Sequence, residues 1–296
     1  MTRPWKKYPY FEEENSADVV LARMGPAVDA RTKEVMGAIV RHLHDAVKEI
    51  RPSADEWMKA IQFLTRTGQM CTDWRQEYIL LSDTLGVTML VDAINHTHGD
   101  GATESTILGP FYVEGPPHYP NGANICQDGK GEPLVVRGHV RDTTGAPIAG
   151  ATIDVWQAND DGFYDVQQRG VQPAMNLRGV FTSDEGGGYW FRSVKPRFYP
   201  IPFDGPVGQL LGAMGRGPNR AAHVHFIVKA PGHETTITHV FPPDCPYLEQ
   251  DAVFGVKESL IGDFVRVDDA AEAHALGFAG PFWSLAWDFV LAPSKA

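Results

Sequence analysis

Around Gly99-Asp100-Gly101 the hydrophobic period of the chain changes, and this switch constrains the fold more than any other feature. Upstream, Val28, Thr32, Val35, Ile39, Leu43, Ala46 and Ile50 recur at three- and four-residue steps, drawing one apolar stripe down a helix. Pro52 ends that helix. Ser53-Ala-Asp-Glu56 then reads as a capping box opening a second helix with Trp57, Ile61 and Leu64 on one face, and a third helical stretch runs through Tyr78, Leu81 and Leu85 toward Ile94. Downstream, most of the prolines and glycines fall among short β-rich runs: Leu134–Val140, Ala151–Trp156, Tyr189–Val194, Ala222–Val228, Thr235–Phe241 and Trp283–Leu291. The pattern predicts an α+β protein, with a helical domain over residues 1–104 and an antiparallel β-sandwich over residues 105–296. Two connections, residues 157–188 and 196–219, read as irregular and exceed ordinary loop lengths, and long loops on a rigid scaffold are where sites are built.

Charge narrows the function. A net charge of -11 without clustered Lys and Arg argues against a nucleic-acid or anionic-membrane partner and leaves a small molecule. Cys71, Cys126 and Cys245 are odd in number and far apart, which supports neither a disulfide framework nor a zinc ribbon and fits a reducing cytoplasm. The first residues lack the apolar core of an export signal, and no run approaches the ~18 apolar residues of a membrane span.

The chemistry is concentrated in Arg220-Ala-Ala-His223-Val-His225-Phe-Ile-Val228. Side chains alternate along a strand, so His223 and His225 leave the same face about 6–7 Å apart at the backbone, spaced to grip one metal ion. Tyr164 and Tyr199 stand in the two long connections, outside any apolar period, where either taken singly also reads as a packing residue with its hydroxyl on a backbone group. Phenolate is a hard anionic oxygen donor and imidazole suits first-row transition metals, so two of each point to iron(III) rather than zinc or magnesium. Two other readings of the histidines stay open on this ground: a divalent-metal hydrolase with an acidic third ligand, and a non-enzymatic sandwich that binds a small aromatic or a lipid, its histidines structural and satisfied by backbone carbonyls. His96-x-His98 at a helix end and His42/His44 on different sides of a helix are not expected to hold metal.

Several separated motifs carry a resemblance. Leu108-Gly-Pro-Phe-Tyr112, Asp154-Val-Trp-Gln-Ala158 with Asp161-Gly-Phe-Tyr164, the Arg178–Thr182 stretch, Pro200-Ile-Pro-Phe-Asp-Gly-Pro206 and Arg220-x-x-His223-x-His225-Phe226 are similar, in order and spacing, to the intradiol ring-cleavage dioxygenases. The likeness covers residues 20–290. It implies a helical linker and dimerisation domain, a β-sandwich catalytic domain, a homodimer, and one non-haem Fe(III) per chain. It also implies Tyr164 and His223 as equatorial ligands and Tyr199 and His225 as axial ones. The family's linker is associated with a phospholipid at the dimer interface, and the Val28–Ile50 stripe is equally read as plain dimer core.

Within the family, Leu80-Leu-Ser-Asp83 and Asp251–Ser259 resemble the branch that opens hydroxyquinol (1,2,4-trihydroxybenzene) rather than catechol or chlorocatechol. By resemblance Leu80, Ile201, Pro202 and Val253 wall the pocket beside Leu108, Gly109, Pro110 and Phe111. Asp83 would accept a hydrogen bond from the third hydroxyl, or be a plain helix charge. Arg220 is expected to stabilise negative charge on the ring, and Tyr199 to take a substrate proton. His239 stands where catechol-cleaving relatives carry a glutamine, and is expected to hydrogen-bond substrate or water rather than to be a fifth ligand. The implied reaction adds dioxygen between the two hydroxyl-bearing carbons, giving 3-hydroxy-cis,cis-muconate, the tautomer of maleylacetate.

Overall fold

The computed structural model describes residues 10–72, 75–96 and 101–294. Contacts group into two compact units, Met1–Thr65 and Arg66–Ala296.

The first unit is helical: α1 Ser16–Leu21, α2 Ala30–Ile50 and the start of α3, Ala54–Gln69. Asp29 caps α2 by accepting the Thr32 amide at 2.9 Å, and Arg51 closes it in the left-handed conformation just before Pro52. The capping box forms as expected, with the Ser53 amide on Glu56 Oε2 at 2.8 Å and the Glu56 amide on Ser53 Oγ at 3.2 Å. Along α2 the apolar stripe is exposed, from 38% at Val35 to 71% at Ile50.

In the second unit the expected third helix is two, α4 Glu77–Thr84 and α5 Val87–Asn95, broken where Gly86 takes φ +74. The strands are β1 Pro133–Asp142, β2 Thr152–Trp156, β3 Arg178–Thr182, β4 Gly188–Val194, β5 Tyr199–Pro200, β6 Asn219–Arg220, β7 Val224–Lys229, β8 Thr236–Val240, β9 Phe264–Val267, β10 Phe282–Ala286 and β11 Phe289–Leu291. One sheet runs β4-β1-β10-β9, with β11 continuing beside β1 after β10; the other runs β3-β2-β7-β8. Most pairings are antiparallel, but β10 and β11 lie parallel to β1.

The run expected as one strand to Leu291 is interrupted at Trp287-Asp288, for a steric reason. The Trp287 carbonyl presses so close to Gly138 that a Cβ there would sit 1.7 Å from its oxygen, and the Asp288 carboxylate takes the His139 amide instead at 2.7 Å. Within the supposedly irregular stretches lie β3 and α6 (Pro206–Ala213), while β9 and α7 (Ala270–Ala275) also went unread.

Alternation decides what faces the core. Leu134, Val136 and Val140 on β1 meet Ile153 and Val155 on β2 and Val224, Phe226 and Val228 on β7, all at 0% exposure, each worth roughly 1.5–3 kcal/mol of burial. The intervening residues of β2, β7 and β8 therefore project from the outer face of the second sheet.

Candidate metal centre

Strand register assembles the site on that outer face. Trp156 of β2 pairs with His225 of β7, and His225 with His239 of β8. The Trp156 ring stacks on the His225 imidazole at 4.5 Å and 11°, and His239 meets the same imidazole edge-on at 4.2 Å. His223 stands one residue before β7 begins, so the strand starts later than its apolar run suggests, yet its Nε2 comes within 3.0 Å of His225 Nε2.

The tyrosines arrive from the long connections. Tyr164 caps a short 3-10 turn, Asp165–Gln167, its amide on Gln167 Oε1 at 2.9 Å. That turn is anchored by a buried pair: Arg178 Nε donates to Asp165 Oδ1 at 2.7 Å, while Asp165 Oδ2 accepts the Met175 amide at 2.9 Å. Tyr199 lies in β5, directly across from Arg220 of β6. Tyr164 Oη is then 3.0 Å from Tyr199 Oη, 2.9 Å from His225 Nε2 and 3.5 Å from His223 Nε2. All of these residues are buried. His223 Nδ1 donates to the Ala221 carbonyl at 2.6 Å, which leaves its Nε2 lone pair facing the other donors.

Burial sets the protonation. It pushes the Tyr164 hydroxyl well above its ordinary range, with Tyr199 adding to the rise, and raises Tyr199 against the opposing charge of Arg220. It drives His223, His225 and His239 well below theirs, Arg220 contributing to each fall. Neutral imidazoles are what a metal needs, and a bound cation reverses the penalty on the phenolates.

Arg220 and His239 complete the surroundings. Burial alone would lower the Arg220 guanidinium, but Asp251 and the two tyrosines outweigh it and raise it. Asp251 Oδ1 accepts both Arg220 Nε at 3.4 Å and the Ala221 amide at 2.9 Å, while Arg220 Nη2 has no hydrogen-bond partner among the described residues. Fully buried His239 has its Nδ1 2.9 Å from Thr106 Oγ1 and its Nε2 unpaired. Its ligand atom lies within 4.8 Å of those of His223 and His225, a third imidazole at the centre.

Of the expected pocket residues, Leu80, Ile201 and Val253 join one apolar cluster with Ile107, Val207 and Leu211. Asp83 is buried with Oδ1 unpaired, and burial raises its carboxyl despite a hydrogen bond from Thr88 and the charge of Arg220. Gly109 turns at φ +76 where a Cβ would press to 3.2 Å from His225, and Phe111 stacks on Tyr164 at 4.7 Å. Pro202 is half-buried, whereas Leu108 and Pro110 are exposed. Thr106, Ile107 and Asp251 were not singled out as site residues, although Asp251 is the acid a buried arginine demands. Elsewhere His96 pairs with Asp92 at 2.7 Å, His98 lies outside the described residues, and His42 and His44 sit on α2 away from any such cluster.

Comparison with known proteins decides the family. A model described as "Dioxygenase" matches residues 107–293, and one described as "Catechol dioxygenase N terminus" matches residues 29–103. A hydroxyquinol 1,2-dioxygenase of a Rhizobium species is 64% identical over 284 residues, covering 96% of each chain. The chain belongs to the intradiol ring-cleavage dioxygenases. A 6-chlorohydroxyquinol 1,2-dioxygenase of Cupriavidus pinatubonensis is 49% identical, over 96% of this chain and 99% of its own. Among solved structures, hydroxyquinol 1,2-dioxygenase from Pseudomonas putida superposes with a TM-score of 0.89 at 44% identity, over 95% of this chain and 99% of that one. Catechol 1,2-dioxygenase from an Acinetobacter species gives 0.83 at 29%, over 95% and 93%.

Intradiol dioxygenases depend on non-haem iron, and the donors present fit it. Two phenol oxygens and two imidazole nitrogens converge on one another in a buried site, a hard anionic and borderline nitrogen set suited to iron.

Proposed function

We propose that this dioxygenase opens hydroxyquinol with O2 between its two adjacent hydroxyl-bearing carbons, at one Fe(III) per chain held by Tyr164, Tyr199, His223 and His225. The convergence of those four donors carries the reading, and Asp83, buried with its Oδ1 unpaired among the described residues and within reach of the Arg220 charge, supports the third hydroxyl as part of the substrate. The 64% identity to a hydroxyquinol 1,2-dioxygenase supports the substrate. One ring carbon–carbon bond breaks and both oxygen atoms enter 3-hydroxy-cis,cis-muconate, so the reaction needs no other reductant.

Held by Tyr164, Tyr199, His223 and His225, a ferric ion would supply Lewis acidity that favours ionisation of the adjacent hydroxyls. The protein supplies the rest. Tyr199 Oη takes a substrate hydroxyl proton, its basicity set by burial against the Arg220 charge. Arg220, pinned through Nε, keeps Nη2 free to meet negative charge developing on the ring. His239 offers Nε2 for a hydrogen bond to substrate, and Leu80, Ile201 and Val253 exclude water. Asp83 Oδ1 accepts from the third hydroxyl, which catechol lacks.

The exposed stripe of α2 supports pairing of two copies through the helical domain, with a phospholipid acyl chain as a further occupant of that interface. Unpaired Cys71, Cys126 and Cys245 support a cytoplasmic setting. No described helix is long and apolar enough to cross a membrane.

The test is the visible spectrum of the purified protein. A broad phenolate-to-iron band that shifts on anaerobic addition of hydroxyquinol is expected, followed by O2 uptake faster than with catechol. A protein that stays colourless after ferric reconstitution would overturn the reading.

A further inference from the structure

The two walls of the proposed substrate pocket come from separate parts of the chain: α4 carries Leu80 and Asp83, and the segment Asp251–Gly255 carries Val253, which packs in one apolar cluster with Leu80. One side chain spans them. Arg216 follows α6, whose end is closed by Gly215 at φ +68 and by the Arg216 amide on the Leu211 carbonyl at 2.9 Å. Its guanidinium donates through Nη1 to the carbonyl of Thr84, the last residue of α4, and through Nη2 to the Ala252 carbonyl at 2.9 Å. Its flat face lies 4.4 Å from the centre of the Phe254 ring.

Phe254 itself is unusual. It is a non-glycine residue at φ +60, about half exposed, in a conformation that persists only where surrounding contacts impose it. Around it lie a turn that puts its amide on the Asp251 carbonyl at 3.2 Å, the Arg216 guanidinium, and Gly86, where an added Cβ would lie 3.5 Å from the Phe254 ring. On either side of it the Asp251 carboxylate takes the Gly255 amide at 2.7 Å and holds Arg220. A planar fork that donates in two directions while stacking on a ring is available to arginine and not to lysine.

We propose that Arg216 is a positioning residue that fixes the spacing between the Asp83 and Val253 walls and thereby the discrimination of hydroxyquinol from catechol. Its hydrogen bonds and ring contact go to Thr84, Ala252 and Phe254 and not to Tyr164, Tyr199, His223 or His225. The inference rests on the reading of Asp83 as the partner of the third hydroxyl.

The experiment uses the iron-loaded full chain and its Arg216→Met, Arg216→Lys, Phe254→Leu and Asp83→Asn variants. It reads kcat and KM for hydroxyquinol and for catechol, the resting visible band, and anaerobic hydroxyquinol binding from the shift of that band. In Arg216→Met the resting band is expected unchanged, while KM and the anaerobic dissociation constant for hydroxyquinol rise about tenfold, the scale of one lost hydrogen bond to a held group. Values for catechol change less, so the preference falls, and Arg216→Lys recovers only part of it. Equal losses for the two substrates, or an unchanged preference, overturn the proposal. If Asp83→Asn abolishes the preference and Arg216→Met does not, the inference about Arg216 fails alone. If Asp83→Asn leaves the preference intact, the reading of Asp83 fails and takes the inference with it. Should Arg216→Met not fold, Arg216→Lys and Phe254→Leu carry the same comparison.

Discussion

At the scale of single residues, the proposed donors differ in role as well as in type. Replacing Tyr199 by Phe removes one oxygen and leaves Tyr164, His223 and His225 to retain iron, so the variant is expected to bind metal with a weaker visible band. Turnover should fall on the order of 10²–10⁴-fold, the usual contribution of a positioned base. Stopped-flow mixing with hydroxyquinol checks it, and undiminished turnover would remove Tyr199 from proton transfer. The shared face of His223 and His225 was legible in the sequence because residues two apart on a strand leave the same side, whereas a loop tyrosine ordinarily packs, and Tyr164 and Tyr199 gained meaning only beside the histidines and the family motifs. Thr106 was not legible. Its contact with His239 joins residues far apart in the chain, and a lone threonine among ordinary residues carries no pattern.

Elements position these residues through a few buried anchors. The turn that presents Tyr164 hangs on Arg178 and Asp165, both under 10% exposed. Breaking a buried pair by removing one partner leaves a charge without compensation, so Arg178→Met is expected to cost about 3–5 kcal/mol. Urea denaturation of the iron-loaded protein measures it; a loss under about 1 kcal/mol would mean the pair does not anchor the turn. Arg178 opens β3, which lies within the 157–188 stretch that reads as irregular. The run Arg178-Gly-Val-Phe-Thr182 is only five residues long and opens on a charge and a glycine, so its extended form shows chiefly in its pairing with β2. The same holds for β5 and β6, two residues each, which exist because Tyr199 and Arg220 pair. α6 carries a Pro at its start yet contains two glycines, which hid its helical period. The longer strands β1, β2, β4, β7 and β8 were legible within a residue or two, since they alternate or run apolar against a common core.

For the molecule as a whole, the pH dependence of stability follows from a group outside the metal centre. Asp154 of β2 lies two residues before Trp156, on the outer face of the sheet, and accepts the Tyr112 hydroxyl at 3.2 Å. Burial, only partly offset by that hydrogen bond, lifts its carboxyl from 3.8 to about 6. The folded state therefore keeps this proton at pH values where the unfolded chain has released it. Its penalty is absent below about 3.8, grows as pH climbs to about 6, and is complete above. Because the group is partly solvated, the full penalty is on the order of 1 kcal/mol, or about 2 °C in melting temperature for a chain of this size. Asp154→Asn removes the ionisation while its amide oxygen still accepts from Tyr112. The variant should match the parent near pH 4 and melt higher at pH 7, the difference opening between those values. Melting curves of both proteins, iron-loaded and taken across that range, measure the difference directly, and other titrating groups cancel in it. A difference that does not vary with pH would mean that Asp154 ionises as readily in the fold as in the unfolded chain, and that the outer face around Tyr112 is as wet as bulk solvent.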